Sequence, residues 1–146
     1  MTIAAILRTK GSDVVMLPRA ASVAAAVALL AERRIGAAPV VEGNKDGGEV
    51  VGVFSERDVI YCLAQLGPAA LDKTVGEVMT APARTVSPQE PVLGALSLMT
   101  RRRIRHLPVV DGGRLVGFVS IGDLVKHRMD RIEEEAEAMR SYIQSA

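Results

Sequence analysis

The chain has 146 residues, of which 49% are hydrophobic, and 18 Lys+Arg against 17 Asp+Glu leave a formal net charge of +1. That length carries one compact domain or two small lobes sharing a core, and the near-neutral balance excludes a global field that would hold DNA or an anionic membrane. With no Trp and 3% aromatics, the chain lacks the stacking platforms of single-strand binders.

The N-terminal MTIAAILRTKGSD has no charged segment ahead of a long apolar run, so no secretory signal is expected. The stretch AASVAAAVALLA is too short to span a bilayer. Its Ser22 can cap a helix whose apolar face is Val23, Ala26, Val27 and Leu30, with Gly36 expected to end it. A short strand, APVV, precedes the turn NKDGG, and a second strand, EVVGVF, follows. A helix then starts at Ser55 and carries Cys62 on an apolar face, where it reads as core. That single cysteine can form no internal disulfide and lacks the partners of a metal site, which fits a reducing cytoplasm. LGPAALDK reads as a linker.

The same series then recurs. Pro91 suits a first helical position, and Val92, Leu96 and Met99 form the stripe. RRRIRH leads into the strand LPVV, the turn DGG, the strand RLVGFV and a helix from Ser120. That last helix reads on through IGDLVKHRMDRIEEEAEAMRSYIQ, with Leu124, Val125, Met129 and Ile132 expected to face the core. Its charged end, EEEAEAMR, reads as a solvated extension or a docking arm.

Residues 16–41 align with 85–110 without a gap, placing Ile35 over Ile104 and Pro39 over Pro108, an offset of 69. VVGVFSERDVI and LVGFVSIGDLV then align at an offset of 65, as Ser55 over Ser120 shows, and TIAAIL echoes TVGEVM. Two copies of roughly 60 residues cover most of the chain. The expected fold class is α+β: two repeats related by a pseudo-two-fold axis, each a small sheet packed with two helices and opened by an extended lead-in. The expected divisions are residues 1–67, a linker 68–73, residues 74–130 and a helical extension 131–146. A lone hairpin unit is marginal, and two copies can cover each other's sheets.

These elements, with EVMT at Glu77 to Thr80, resemble a tandem pair of CBS domains, a Bateman module. The resemblance implies a non-catalytic regulatory module that binds an adenosine-containing ligand (AMP, ADP, ATP, NAD or S-adenosylmethionine) in clefts between the repeats and signals to a separate protein. It implies Ser55 and Asp58, and Ser120 and Asp123, as hydroxyl and ribose-binding carboxylate. It also implies that each corner meets the lead-in and first strand of the other copy. That groups Ser55, Arg57 and Asp58 with Thr85, Ser87, Arg105, His106, Leu107 and Pro108, and groups Ser120 and Asp123 with residues 16–18 and 36–39, including Ala38. On this grouping the Asp58 cleft is expected to be the tighter. Related modules pair through their helices, so a homodimer is expected.

The chemistry is consistent with this, because a helix N-terminus offers free N–H groups to phosphate and a carboxylate accepts from vicinal hydroxyls. The same Ser-x-x-Asp pattern also describes a capping box that serves the helix alone. A scaffold with empty clefts is therefore the alternative function. No nucleophile–base–orienter set is present, so no catalysis is expected. His106 and His127 are too isolated in sequence to suggest a metal.

Overall fold

The computed structural model describes residues 1–11, 13–43 and 48–145. In chain order these form α1 (Ile3–Lys10), β1 (Leu17–Pro18), α2 (Val23–Arg33), β2 (Ala37–Glu42), β3 (Glu49–Ser55), α3 (Glu56–Leu66), α4 (Val75–Val78), α5 (Val92–Arg102), β4 (His106–Asp111), β5 (Arg114–Ser120) and α6 (Ile121–Ser145). The stretch read as a linker is a 3₁₀ helix, Gly67–Asp72, anchored by a buried Ala70. Of the expected turn NKDGG, Asn44 to Gly47 lie outside the described residues.

The two sheets follow from the repeated β-branched strands. The first has the order β1-β2-β3, with β1 parallel and β3 antiparallel to β2, and the second is the antiparallel pair β4-β5. A parallel bridge from Val86 to Val109 stands where β1 pairs in the first lobe. Each antiparallel ladder carries one irregularity, at Val40/Val41 and at Val109/Val110, so the pseudo-symmetry extends to the bulge. In the second hairpin Gly112 and Gly113 both have positive φ, 58° and 80°, as a two-residue primed turn requires.

Ser22 caps α2 as expected, its Oγ accepting from the Ala25 amide at 3.1 Å. Pro91, however, occupies the N-cap of α5 rather than its first turn. Gly36 does not end α2. The left-handed residue there is Arg34, φ 53°, and its counterpart after α5 is Arg103, φ 54°. The amide following each, of Ile35 or Ile104, donates back to the carbonyl of Leu30 or Met99, which closes both helices identically.

Packing exchanges the two small helices. One core gathers Val23, Ala26, Leu30, Val40 and Phe54 with Val75 of α4. The other gathers Val92, Met99, Leu107, Val109 and Leu124 with Ile3 and Ile6 of α1. Each lobe thus takes its first helix from the segment preceding the other repeat. Cys62 is buried. Of the stripe expected to face the core from α6, Leu124 does so. Val125, Met129 and Ile132 stand exposed, because they share a different face of the helix from Leu124, Arg128 and Arg131, which turn toward the lobe.

Candidate functional site

β3 ends on Ser55 and α3 starts at the next residue, so the hydroxyl and the carboxylate one turn on share a helix start. Asp58 Oδ2 accepts from the Ser55 amide at 2.9 Å and from its hydroxyl at 3.1 Å, while the Asp58 amide donates to Ser55 Oγ at 3.4 Å. The capping box is real. Asp58 Oδ1 reaches further and accepts from Thr80 Oγ1 at 2.8 Å. Thr80 follows α4 and is held by two backbone bonds with Val53, at 3.0 and 2.9 Å.

At the second corner the Ser120 amide donates to Asp123 Oδ2 at 2.8 Å, and the Asp123 amide to Ser120 Oγ at 3.1 Å. The outer partner is different. Lys10, the last residue of α1, donates from Nζ to Asp123 Oδ2 at 2.6 Å and to the Phe118 carbonyl at 2.7 Å. Phe118 is the counterpart of Val53, so Lys10 does with one ammonium what Thr80 does with its backbone and hydroxyl. Burial pushes the Asp123 carboxyl up, but its bonds to Lys10 and to Ser120 outweigh that and hold it below the usual carboxylate range.

His106 stands opposite Ser120 in the ladder and stacks on Phe118, with ring centroids 5.5 Å apart. Burial first, then the Lys10 charge, lowers its pKa against the pull of Asp123 and Glu56. The ring is therefore neutral near pH 7 and offers a flat face rather than a cation.

The ladders tie each corner to the first strand of its own lobe, beside the grouping across lobes that the resemblance implies. Ser55 lies opposite Ala37, and the Glu56 amide donates to the Gly36 carbonyl at 3.0 Å. Ser120 lies opposite His106, and the Ile121 amide donates to the Arg105 carbonyl at 2.8 Å. Thr85 and Ser87 flank Val86, which bonds to the second sheet, and both are exposed there. Arg105 thus adjoins the Ser120 corner through its carbonyl, and Thr85 and Ser87 lie in the second lobe. The lobes touch at one side-chain bond near the corners, where Arg57 Nη1 donates to the Arg103 carbonyl at 3.3 Å. Ala38, Leu107 and Pro108 are fully buried and can offer only backbone.

Sequence reading missed Lys10 and Thr80. The echo of TIAAIL in TVGEVM held only part of the signal: both segments run on to these residues, but Lys10 aligns with Pro82 and Thr80 with Arg8. Two surface grooves lie elsewhere. One is between α2 and α3, lined by Val27, Leu30, Ile35, Val59 and Ile60, and the other lies beside α6. Among the described residues, no three His, Cys, Asp or Glu cluster as metal ligands, and no helix is long and apolar enough to cross a membrane.

Twin helix–strand–strand–helix repeats, each with a Ser-x-x-Asp corner at its second strand, define a tandem pair of one small α+β module. The chain belongs to the CBS domain family, which matches residues 4–65 and 75–130. It is 35% identical over 121 residues to the mitochondrial CBS domain-containing protein CBSX3 of Arabidopsis thaliana, covering 82% of this chain and 58% of that one, so it spans little more than half of that relative. The crystal structure of the CBS-domain containing protein ATU1752 from Agrobacterium tumefaciens superposes with a TM-score of 0.81 at 35% identity, covering 87% of this chain and 92% of that one. The CBS domain protein PAE2072 from Pyrobaculum aerophilum, solved in complex with AMP, gives 0.73 at 32% identity, covering 84% and 89%.

Proposed function

We propose that this chain is a non-catalytic regulatory module that binds an adenosine nucleotide at its Ser-x-x-Asp corners and passes the change to a separate partner. The observation carrying this reading is the equivalence of the two corners, each setting a serine and a carboxylate at the N-terminus of a helix. The AMP complex of the Pyrobaculum relative supports the ligand class. Asp58 and Asp123 each keep acceptor capacity beyond their caps, since an ionised carboxylate has about four lone-pair sites.

The two corners differ in charge. Beside Asp123 stands Lys10, with the Arg105 backbone and the neutral ring of His106 at the same corner. Beside Asp58 stands Arg57, next to the opposing charge of Glu56. An ammonium or guanidinium pairs strongly with phosphate, so the Asp123 corner is the tighter site for a phosphorylated ligand. Lys10 turns from the carboxylate to phosphate as the ribose arrives. The exposed Ile60, Tyr61, Leu63 and Leu66 of α3, beside the groove to α2, support assembly through the helical faces.

One observation favours the scaffold reading: both carboxylates accept bonds from the chain's own side chains, Asp123 from Lys10 and Asp58 from Thr80. Isothermal titration with AMP, ATP, NAD and S-adenosylmethionine, against GMP and GTP, separates the two. An adenosine ligand is expected to bind. Asp123→Ala is expected to weaken the tight phase by about ten- to a hundredfold, the loss of one charged hydrogen bond, while Asp58→Ala spares it. A flat titration with every ligand on folded protein overturns nucleotide binding. A tight phase abolished by Asp58→Ala and intact in Asp123→Ala overturns the assignment of the corners.

A further inference from the structure

α6 is 25 residues long, about 37 Å at 1.5 Å per residue, and only its first turns lie on the second lobe, where Leu124 is buried and Ile121 packs beside it. On another face Val125, Met129, Ile132, Ala136, Met139 and Ile143 follow at spacings of four, three, four, three and four. This is the alternation of a and d positions in a heptad repeat. The five large residues of that stripe are between 42% and 65% exposed. A helix that stayed solvated all round would have no reason to keep the period through its charged end.

The flanking charges specify what covers the stripe. With Met129 at a, the g positions are Arg128 and Glu135, and the e positions are Glu133 and Arg140. In a parallel pair each g residue meets the e residue five places on in the other helix. Arg128 then faces Glu133, and Glu135 faces Arg140, so every cross-pair is opposite in sign. An antiparallel pair would set Glu133 against its own copy, Glu135 against its own copy, and Lys126 against Arg140. Two of these residues now pair within the helix, Arg140 with Glu137 at 3.3 Å and Glu135 with Arg131 at 3.8 Å. Such exposed pairs contribute little and are free to exchange.

We infer that the outer stripe of α6 docks on the same stripe of a second copy of this chain, as a parallel two-stranded coiled coil with Arg128–Glu133 and Glu135–Arg140 pairs across the seam. The inference is independent of nucleotide binding and of contact through α2 and α3. So short a coil is marginal by itself, so the full chain is the object to test. A cysteine placed by Ile143→Cys sits beside its own copy only in the parallel arrangement, and the native Cys62 is buried away from reaction. Mild oxidation of Ile143→Cys protein is expected to give a disulfide-linked dimer. Adding Glu133→Lys and Arg140→Glu, both at exposed positions, makes every cross-pair like-charged and should slow linking about tenfold or more. Mixing that protein with an Ile143→Cys chain carrying Arg128→Glu and Glu135→Lys restores opposite charges and should restore linking between the two kinds of chain. Absence of the linked dimer, or linking indifferent to the reversal in protein that melts normally, overturns the inference. So does failure of the mixture to recover when both chains are folded.

Discussion

His106 shows how one side chain can serve stacking and stability together. Its pKa is lowered by burial and by Lys10, so just below the ordinary histidine value the unfolded chain takes up a proton that the folded chain resists. Its contribution to stability is therefore complete above about pH 6.5 and is lost as pH falls through the depressed folded value. Asp123, also lowered, acts in the same direction further into acid, holding its contribution until pH falls below the usual carboxylate range. The melting temperature is expected to decline between about pH 7 and about pH 5, and His106→Phe, which keeps a ring against Phe118, should flatten that decline. An equal slope in the variant would assign the loss to other groups. Arg34 and Arg103 lie at the opposite extreme of legibility. A left-handed non-glycine residue costs about 1–2 kcal/mol, so local propensity pointed to Gly36 instead. Closure onto Leu30 and Met99 carbonyls outweighs that cost in both copies.

Among the elements, the strands and their corners were readable because β-branched runs, turn glycines and Ser-x-x-Asp are local signals. The partners of those corners were not, because Lys10 meets Asp123 across 113 residues of chain. Sheet membership fixes one lead-in: parallel bonding of Val86 to Val109 ties Thr85 and Ser87 to the second lobe, the copy from which the resemblance draws the partners of Ser55 and Asp58. The glycine in β3 and its counterpart in β5 mark where the segment of a small helix crosses each strand. A Cβ on Gly52 would come within 2.8 Å of the Thr80 carbonyl and 2.6 Å of Met79 Sδ, whereas one on Gly117 would meet only the side chain of Leu7. Leu7 can turn away; the Thr80 backbone, tied by two bonds to Val53, cannot. Gly52→Ala is therefore expected to destabilise by about 1–3 kcal/mol, with a melting-temperature loss of several degrees, and Gly117→Ala by less. Calorimetry finding Gly117→Ala the worse would mean that the two crossings are packed differently. Because Thr80 also bonds Asp58, Gly52→Ala should loosen that corner as well.

At the scale of the whole molecule, the exchange of α1 and α4 makes two repeats into one cooperative object. Ile3 and Ile6 lie fully within the second lobe's core, and Val75 within the first. The connecting bonds are backbone as well as apolar: the Val92 amide donates to Met1 carbonyl at 3.0 Å and the Val23 amide to Lys73 carbonyl at 2.8 Å. The helix starts of α5 and α2 are thus each satisfied by the segment entering from the other copy. Cutting the chain in the 3₁₀ helix would leave a first fragment that lacks Val75 and exposes Ile3 and Ile6, and a second with the reverse defect. Losing a buried residue of that size costs about 2–5 kcal/mol, a large share of the 5–15 kcal/mol that holds a typical domain. Fragments 1–70 and 71–146 are accordingly expected to show no cooperative melt separately and to regain one on mixing. A sharp transition in either fragment alone would show that a lobe stands without its exchanged helix. A change at Lys10 and Asp123 would then no longer have to pass through α1 to the repeat that follows it.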